Sequence, residues 1–444
     1  MKKVLFFVLA ALSLALISCE KRPTTVEVPI QLMYNGAPFA VAGVPVTLAS
    51  GSATFDALTD DTGLVKFTVS VGTYTATTSY RASESAVMVN YNGSVNILVP
   101  EIATGKEFAT MRLELTASKA SQLIIKEVYN GGCKDNAGSK NFQNDKYIIV
   151  YNNSDVEVDA SGMCLAMAQI SSLVSTNKYT ITDGVIEYAA AGWTPASYGI
   201  WWFQSGTSVK IAPYSQIVIS VTGAIDHTQT YTNSVDLSHA DYVTYDPESG
   251  FNGAAQYPAP SADIPASHQM KTYEFGQGTA WPFPIKTAAP MLLMPGEDIQ
   301  AFVKNEANFD NRSSNKSGNY CKIPTSWVLD AVDIWGDADE TKNYFRFPAE
   351  VNTGKVVFAT NAMGYTIYRN VDKAATEAIA ENAGKLVYDY AGAVSADDTD
   401  PSGIDAEASI AKGAKIVYMD SNNSDADFHV RKVASIKLYN FAVK

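Results

Sequence analysis

Histidine and cysteine are scarce in this 444-residue chain, with four of each. The histidines are His227, His239, His268 and His429, and none lies in a His-Glu-x-x-His or His-x-His pattern. That excludes the helical zinc-hydrolase signature. Gly-x-Ser-x-Gly and the phosphate-cradling P-loop are missing too. Two Ser-x-x-Lys stretches, Ser175 to Lys178 and Ser313 to Lys316, lack the Ser-Asp-Asn and Lys-Thr-Gly partners of a penicillin-binding-type site and read as polar loops. Positive charge is short: 33 Lys and Arg face 46 Asp and Glu, for a net charge of −13. Such a surface repels phosphate backbones, so nucleic acid is not an expected partner. The apolar run from Val4 to Ile17, broken only by Ser13, is too short to span a bilayer.

That run follows Lys2 and Lys3 and ends in Leu16-Ile17-Ser18-Cys19, the pattern cut by a bacterial lipoprotein signal peptidase. Residues 1–18 read as a signal peptide removed on maturation. Cys19 would receive diacylglycerol, residues 19–25 would form the acylated tether, and the lipid would anchor the rest to a membrane. The expected location is the outer membrane, facing the cell surface or the periplasm. Lipoproteins displayed at the surface often carry an acidic cluster after the acylated cysteine. Here the stretch is Glu20-Lys21-Arg22-Pro23, and both orientations stay open. Cys133, Cys164 and Cys321 remain, an odd number for an oxidising compartment. Cys133 and Cys164 flank the strand-like segment 145–151, so they are the expected disulfide, with Cys321 a buried thiol. No Cys-x-x-Cys spacing supports a metal site built from all three.

A hydrophobic content of 46% excludes wholesale disorder. With 24 Tyr and 18 Phe among many Thr and Val, the palette favours strands, and the expected fold is mostly β. Alternating segments occur at 26–32, 44–48, 64–69 and 71–77, with Asp60-Asp61-Thr62-Gly63 as a turn. Further strands are expected at 95–99 and 111–115, and a linker at 117–121. The order "strand, Thr-Asp-x-x-Gly, strand, Gly-x-Tyr" resembles the carboxypeptidase-regulatory-like, prealbumin-like modules of secreted proteins. The resemblance implies a β-sandwich over residues 26–118.

A second pattern starts at Leu123. Glu127-Val128-Tyr129 is followed by Tyr147-Ile148, Tyr151-Asn152, Ser154-Asp155, Asp159, Ser161-Gly162 and Leu165. This series resembles the lamin-tail immunoglobulin-like domain, and implies a second β-sandwich over residues 122–444 with long loop insertions. A later element of that family is approximated at 211–219 and again at 294–299. Residues 226–290, rich in Pro, Gly, Asn and Ser, read as long structured loops. Beyond them, 364–369, 415–419 and 434–439 read as strands, and 372–384 as a short helix with an Asp372 cap and a Gly384 stop. With the lipobox, the two β-modules and the Asn-rich turns, the chain is similar to a family of long, uncharacterised Bacteroidetes envelope lipoproteins. That resemblance implies an accessory protein grouped with TonB-dependent outer-membrane receptors, and no established activity.

No catalytic residue is expected. Trp193, Tyr198, Trp201 and Trp202 are candidates for a ligand-binding platform. Trp201 and Trp202 are adjacent, so a strand would send them to opposite faces. His227, His239 and His268 fall in the loop insertion and are candidate ligands for a metal or a haem. Asp420, Asn422 and Ser424 have the every-second-residue oxygen spacing of a calcium loop, without its central Gly or closing Glu. The expected function is a non-enzymatic envelope lipoprotein that binds a ligand (metal, haem or glycan) or a partner receptor through the loops at 226–290. The alternatives are a surface adhesive or structural protein that binds glycans, and a glycan-active hydrolase. On this reading, replacing residues 226–270 with a short linker would abolish binding and leave the β-scaffold intact.

Overall fold

Alternation of apolar and polar residues becomes strand through most of the first hundred described residues. The computed structural model describes residues 25–51, 53–84, 86–102, 106–358, 361–388 and 400–438. The expected signal peptide, Cys19 and the expected tether up to residue 24 lie outside the described residues. The chain is mostly β and divides into two units, residues 1–83 with 89–119, and residues 84–88 with 120–444.

In the first unit the strands run in the order Ala37–Pro38, Thr25–Tyr34, Met111–Ser121, Val87–Val99, Gly72–Glu84, Pro45–Ser50, Ala53–Leu58, and Leu64–Ser70 pairs with Thr25–Tyr34. Val28, Ile30, Leu32, Val46, Leu48, Ala76, Ile97 and Leu113 point inward and are fully buried. The turn at 60–63 closes as the spacing predicts. Asp60 Oδ1 accepts from the backbone of Thr62 and Leu64 at 2.9 and 3.0 Å. Gly63 has φ +78°, and a Cβ there would stand 2.0 Å from the Phe39 carbonyl oxygen, so only glycine fits. Two expectations are corrected. The strand Met111–Ser121 occupies the expected linker, and Ala53–Leu58, whose side chains are mostly exposed, is a strand that alternation did not reveal.

The second unit holds a six-stranded sheet ordered Tyr242–Val243, Gln216–Ser220, Tyr147–Asn152, Leu123–Tyr129, Thr366–Arg369, Phe428–Arg431. A five-stranded sheet is ordered Lys271–Glu274, Gly199–Trp202, Cys164–Met167, Pro290–Leu293, Val328–Ala331. Every residue of Leu123–Tyr129 and of Tyr147–Asn152 is buried, because both faces of these central strands are covered. Leu123, Ile125, Ile148 and Val150 face the main core with Leu165, Trp201 and Leu292. On the outer face, Tyr129, Tyr147 and Ile149 pack with Val235, Leu237 and Ile264. Ile124 and Tyr151 pack with Tyr368, Ile404 and Tyr418.

The insertion at 226–290 is therefore part of the core. It covers one sheet with Leu237 and Ile264, and sends Phe251, Tyr257 and Trp281 into the main cluster. Excising 226–270 would strip buried apolar surface and unfold the unit, contrary to the sequence-based expectation. Near the end of the chain, Lys373–Ala378 is a helix capped by Asp372, which accepts from the Ala375 amide at 3.0 Å; it stops at Ala378, short of the expected 372–384, because Ile379 is extended, and Gly384, at φ +75°, follows a separate turn at 380–382. The expected strand at 415–419 keeps only a single bridge, Val371 to Tyr418. The expected strand at 434–439 is replaced by a helical turn, Ser435–Leu438. Its first residue donates to the buried Glu127 carboxylate from both the amide, at 3.0 Å, and the hydroxyl, a tertiary contact that outweighs local alternation.

Candidate functional site

The strands Gly199–Trp202 and Lys271–Glu274 pair antiparallel, with Trp202 opposite Lys271, Trp201 opposite Thr272 and Ile200 opposite Tyr273. Cross-strand partners share a face and neighbours along a strand alternate. Trp201 thus turns inward. It is fully buried, its ring 5.8 Å from Phe251 and 6.3 Å from Trp281. Trp202 turns the other way, stays half-buried, and shares its face with Lys271 and Tyr273.

That face opens into a groove of about 500 Å³ lined by Trp202, Gln204, Ser205, Asp246, Glu248, Ser249, Lys271, Thr272, Tyr273, Gln300 and Lys304. Its geometry is fixed by one buried carboxylate. Asp246 accepts from Lys271 Nζ at 2.9 Å and from the Thr272 amide at 3.2 Å. Ser249 closes the turn by donating to the Asp246 carbonyl at 2.7 Å. Donating to Asp246 raises the Lys271 ammonium above its ordinary value, so Lys271 stays charged at neutral pH. Glu248 stands 3.8 Å from the same ammonium and is otherwise exposed. Gln204 is held by two backbone carbonyls, of Ala266 and Gln269, at 2.6 and 2.7 Å. Among the described residues the Lys304 ammonium and the Tyr273 hydroxyl have no hydrogen-bond or ion-pair partner, and both residues line the groove.

The other sequence candidates are dispersed. Trp193 packs in a separate aromatic cluster with Tyr179 and Tyr188, at 5.8 and 5.6 Å. Tyr198 has φ +68° and packs against the main core. Each histidine of the insertion has its own partner. His227 is buried with Nε2 2.6 Å from the Gly223 carbonyl oxygen, His239 lies 3.5 Å from Asp263, and His268 contacts the Asp241 carbonyl oxygen and stacks on Tyr242. Among the described residues no three His, Cys, Asp or Glu side chains form a group that could hold a metal ion. The calcium spacing at Asp420, Asn422 and Ser424 is corrected likewise. Asp420 faces Arg369 at 3.6 Å, Asn422 donates to the Glu350 carbonyl at 3.1 Å, and Ser424 donates to Asn352 Oδ1 at 2.8 Å. Each of the three is drawn to a different partner, and Asn423 between them caps a helical turn, Ser424–Asp427.

The expected disulfide is absent, and Cys133, Cys164 and Cys321 are buried free thiols. Cys164 lies between Trp202 and Leu293 in the five-stranded sheet and donates to the Gly162 carbonyl. Cys133 lies in a two-residue strand, Cys133–Lys134, paired with Asn141–Phe142, beside Ser234 and Asp145, with its thiol pushed up to about 11, by burial first and then by Asp145. A second cavity, of about 400 Å³, lies between the hairpin at 181–186 and Trp335, Phe345 and Phe347. Its asparagines are committed elsewhere: Asn343 to the Asp339 carbonyl, Asn352 to Ser424 and Gly354.

Sequence reasoning reached Trp202 and missed Tyr273, Asp246, Glu248, Lys271, Gln300 and Lys304. The one local signal was Lys271-Thr272-Tyr273-Glu274, a short polar alternation with a central aromatic, which is what an edge strand looks like.

Fold and groove together define a mostly β protein with long loop insertions and an aromatic-sided groove at a sheet edge. A family model described as "Protein of unknown function (DUF4876)" matches residues 212–435, half of the chain, and the chain belongs to this family. Among solved structures it is similar to a DUF4876 family protein from Bacteroides thetaiotaomicron, at 20% identity and a TM-score of 0.53, covering 91% of this chain and 94% of that one. A DUF3823 family protein from Parabacteroides merdae aligns at 12% identity and a TM-score of 0.18, over 43% of this chain and 92% of that one. No curated protein matches the sequence. The family and the Bacteroides structure agree with the resemblance to an uncharacterised Bacteroidetes family.

Proposed function

We propose that the protein is a non-enzymatic envelope lipoprotein, held in the outer membrane by lipid on Cys19, that binds a ligand or partner receptor in the groove beside Trp202. On this reading it is accessory to a TonB-dependent uptake system. The observation that carries the binding function is the groove itself. A half-buried Trp on a hydrogen-bonded strand pair stands beside a loop locked by Asp246, so apolar surface and polar groups are presented without needing to be ordered on binding. Asp246 is occupied by Lys271 and the Thr272 amide, which suits it to positioning and not to proton transfer.

The test is affinity purification of the tagged full-length protein from detergent-solubilised outer membranes, beside Trp202→Ala and Tyr273→Ala variants with unchanged circular dichroism. A TonB-dependent receptor is expected to co-purify with the wild type and to be depleted in both variants. Equal recovery would move the working surface elsewhere, and no receptor with any form would end the accessory role.

A further inference from the structure

We propose that the groove beside Trp202 takes a neutral glycan, with a pyranose face laid on Trp202 and Tyr273; this rests on the reading that the groove is the working surface. The first argument is shape. Trp202 sits opposite Lys271, so Tyr273 is its diagonal neighbour on the same face, roughly 7–8 Å away by the ordinary spacing of such pairs. One sugar ring, or two linked rings, covers that distance. The C–H face of a pyranose is apolar while its rim is not, and a flat amphipathic aromatic matches it. Tyr273 is 36% exposed, so part of its ring is open to a ligand.

The second argument is charge. Two cations, Lys271 and Lys304, face two anions, Asp246 and Glu248, within one groove. A chain with a net charge of −13 has locally balanced this surface. A cationic ligand would meet the lysines and an anionic one the carboxylates, each at a cost that a neutral ligand avoids. The third is hydrogen-bonding capacity. Lys304 and the Tyr273 hydroxyl have no partner among the described residues, and Glu248 is held only at 3.8 Å. Together they offer donors and acceptors, as a ligand rich in hydroxyls requires, since each hydroxyl both donates and accepts. The 400 Å³ cavity by Trp335 lacks this mixture: aliphatic and aromatic side chains dominate its lining, and its asparagines are already bonded.

The experiment is a titration of the mature full-length chain, followed by tryptophan fluorescence and calorimetry. The probes are malto-, cello-, xylo- and mannohexaose, and oligogalacturonate as the acidic counterpart. At least one neutral hexaose is expected to bind. Trp202→Ala should weaken it about tenfold or more, the equivalent of one good stacking contact. Tyr273→Ala, at an exposed position that tolerates truncation, should weaken it severalfold, and Leu98→Ala, far from the groove in sequence and on the first unit, should change nothing. Absence of binding to every neutral hexaose overturns the proposal. So does undiminished binding by both groove variants, or tighter binding of oligogalacturonate. Receptor co-purification that depends on Trp202 without any sugar binding would overturn the glycan and leave the groove a protein-docking surface. Sugar binding that depends on Trp202 without a receptor supports the glycan and removes only the accessory role.

Discussion

The ammonium of Lys126 stands 2.6 Å from the carboxylate of Glu407, and neither side chain reaches solvent, at 0% and 5% exposure. Lys126 also donates to Gln216 Oε1 at 2.7 Å, and its Nζ lies 5.5–5.8 Å from the ring centres of Tyr151, Tyr368 and Tyr418. Tyr368 donates to Glu407 at 2.7 Å. This cluster fastens the helix Ala406–Ala411 to the central strand Leu123–Tyr129.

Lys126→Met should destabilise the protein by about 3–5 kcal/mol, because it leaves a buried carboxylate without its counter-charge. The double variant Lys126→Met, Glu407→Met should recover most of the loss. Urea denaturation of the set would show it, and a double variant no better than the single would refute the pairing. Burial pushes the Glu407 carboxyl up, but Lys126, with Tyr368 and Arg431, more than offsets this and holds it below its ordinary value. Its contribution is therefore complete above the unfolded value of about 4.3 and is lost as pH falls through the native value.

Asp420 titrates in the opposite sense. Its carboxyl is pushed up to about 7, by burial first and then by Asp330, with Asp427 adding to the repulsion and Arg369 opposing it. The folded state holds this proton more tightly than the unfolded chain, so stability is complete below about pH 4 and falls as pH rises towards 7. Asp420→Asn should remove that slope and raise stability at pH 8 by about 1–3 kcal/mol, with little change at pH 4. Chemical denaturation at the two pH values measures it. An equal shift at both would mean that titration is not the cause.

The three buried thiols predict slow chemistry. Burial pushes Cys133 up to about 11 and Cys321 up to about 12, and raises Cys164 further. Thiolate is scarce at neutral pH, and access is blocked. Ellman's reagent should find almost no thiol in the native mature protein and three in guanidinium. Non-reducing peptide maps should show Cys133, Cys164 and Cys321 unpaired. A linked Cys133–Cys164 peptide would contradict the fold around both.

Lipid anchoring is tested by Cys19→Ala. Labelled fatty acid should be incorporated into the wild type and not into the variant, which should accumulate as precursor or soluble material. Retained label on the variant would remove the lipoprotein reading.

Local pattern set the strands well where one face is buried and one is wet, as in 26–32 and 64–69, and it set the Asp372 cap and the Gly63 turn. It failed where tertiary contacts dominate. Residues 434–439 alternate like a strand, yet Glu127 captures Ser435 from 308 positions away in sequence. The calcium spacing failed for a similar reason, since Arg369, Glu350 and Asn352 each draw one of its side chains away. In the groove, adjacency of Trp201 and Trp202 disclosed that they must part, but not which would be buried.

By itself the sequence determined the mostly β character, through alternation and a Tyr-, Thr- and Val-rich palette, and the proposal that Cys19 is acylated rests on the Leu16-Ile17-Ser18-Cys19 motif alone. Only the tertiary structure decided which residues share a surface. Trp202, Asp246, Tyr273 and Lys304 span a hundred residues of chain and meet because two sheet strands pair and two loops fold back beside them. Such a meeting depends on register and long-range packing, and a single sequence carries no local signal for contacts of that separation.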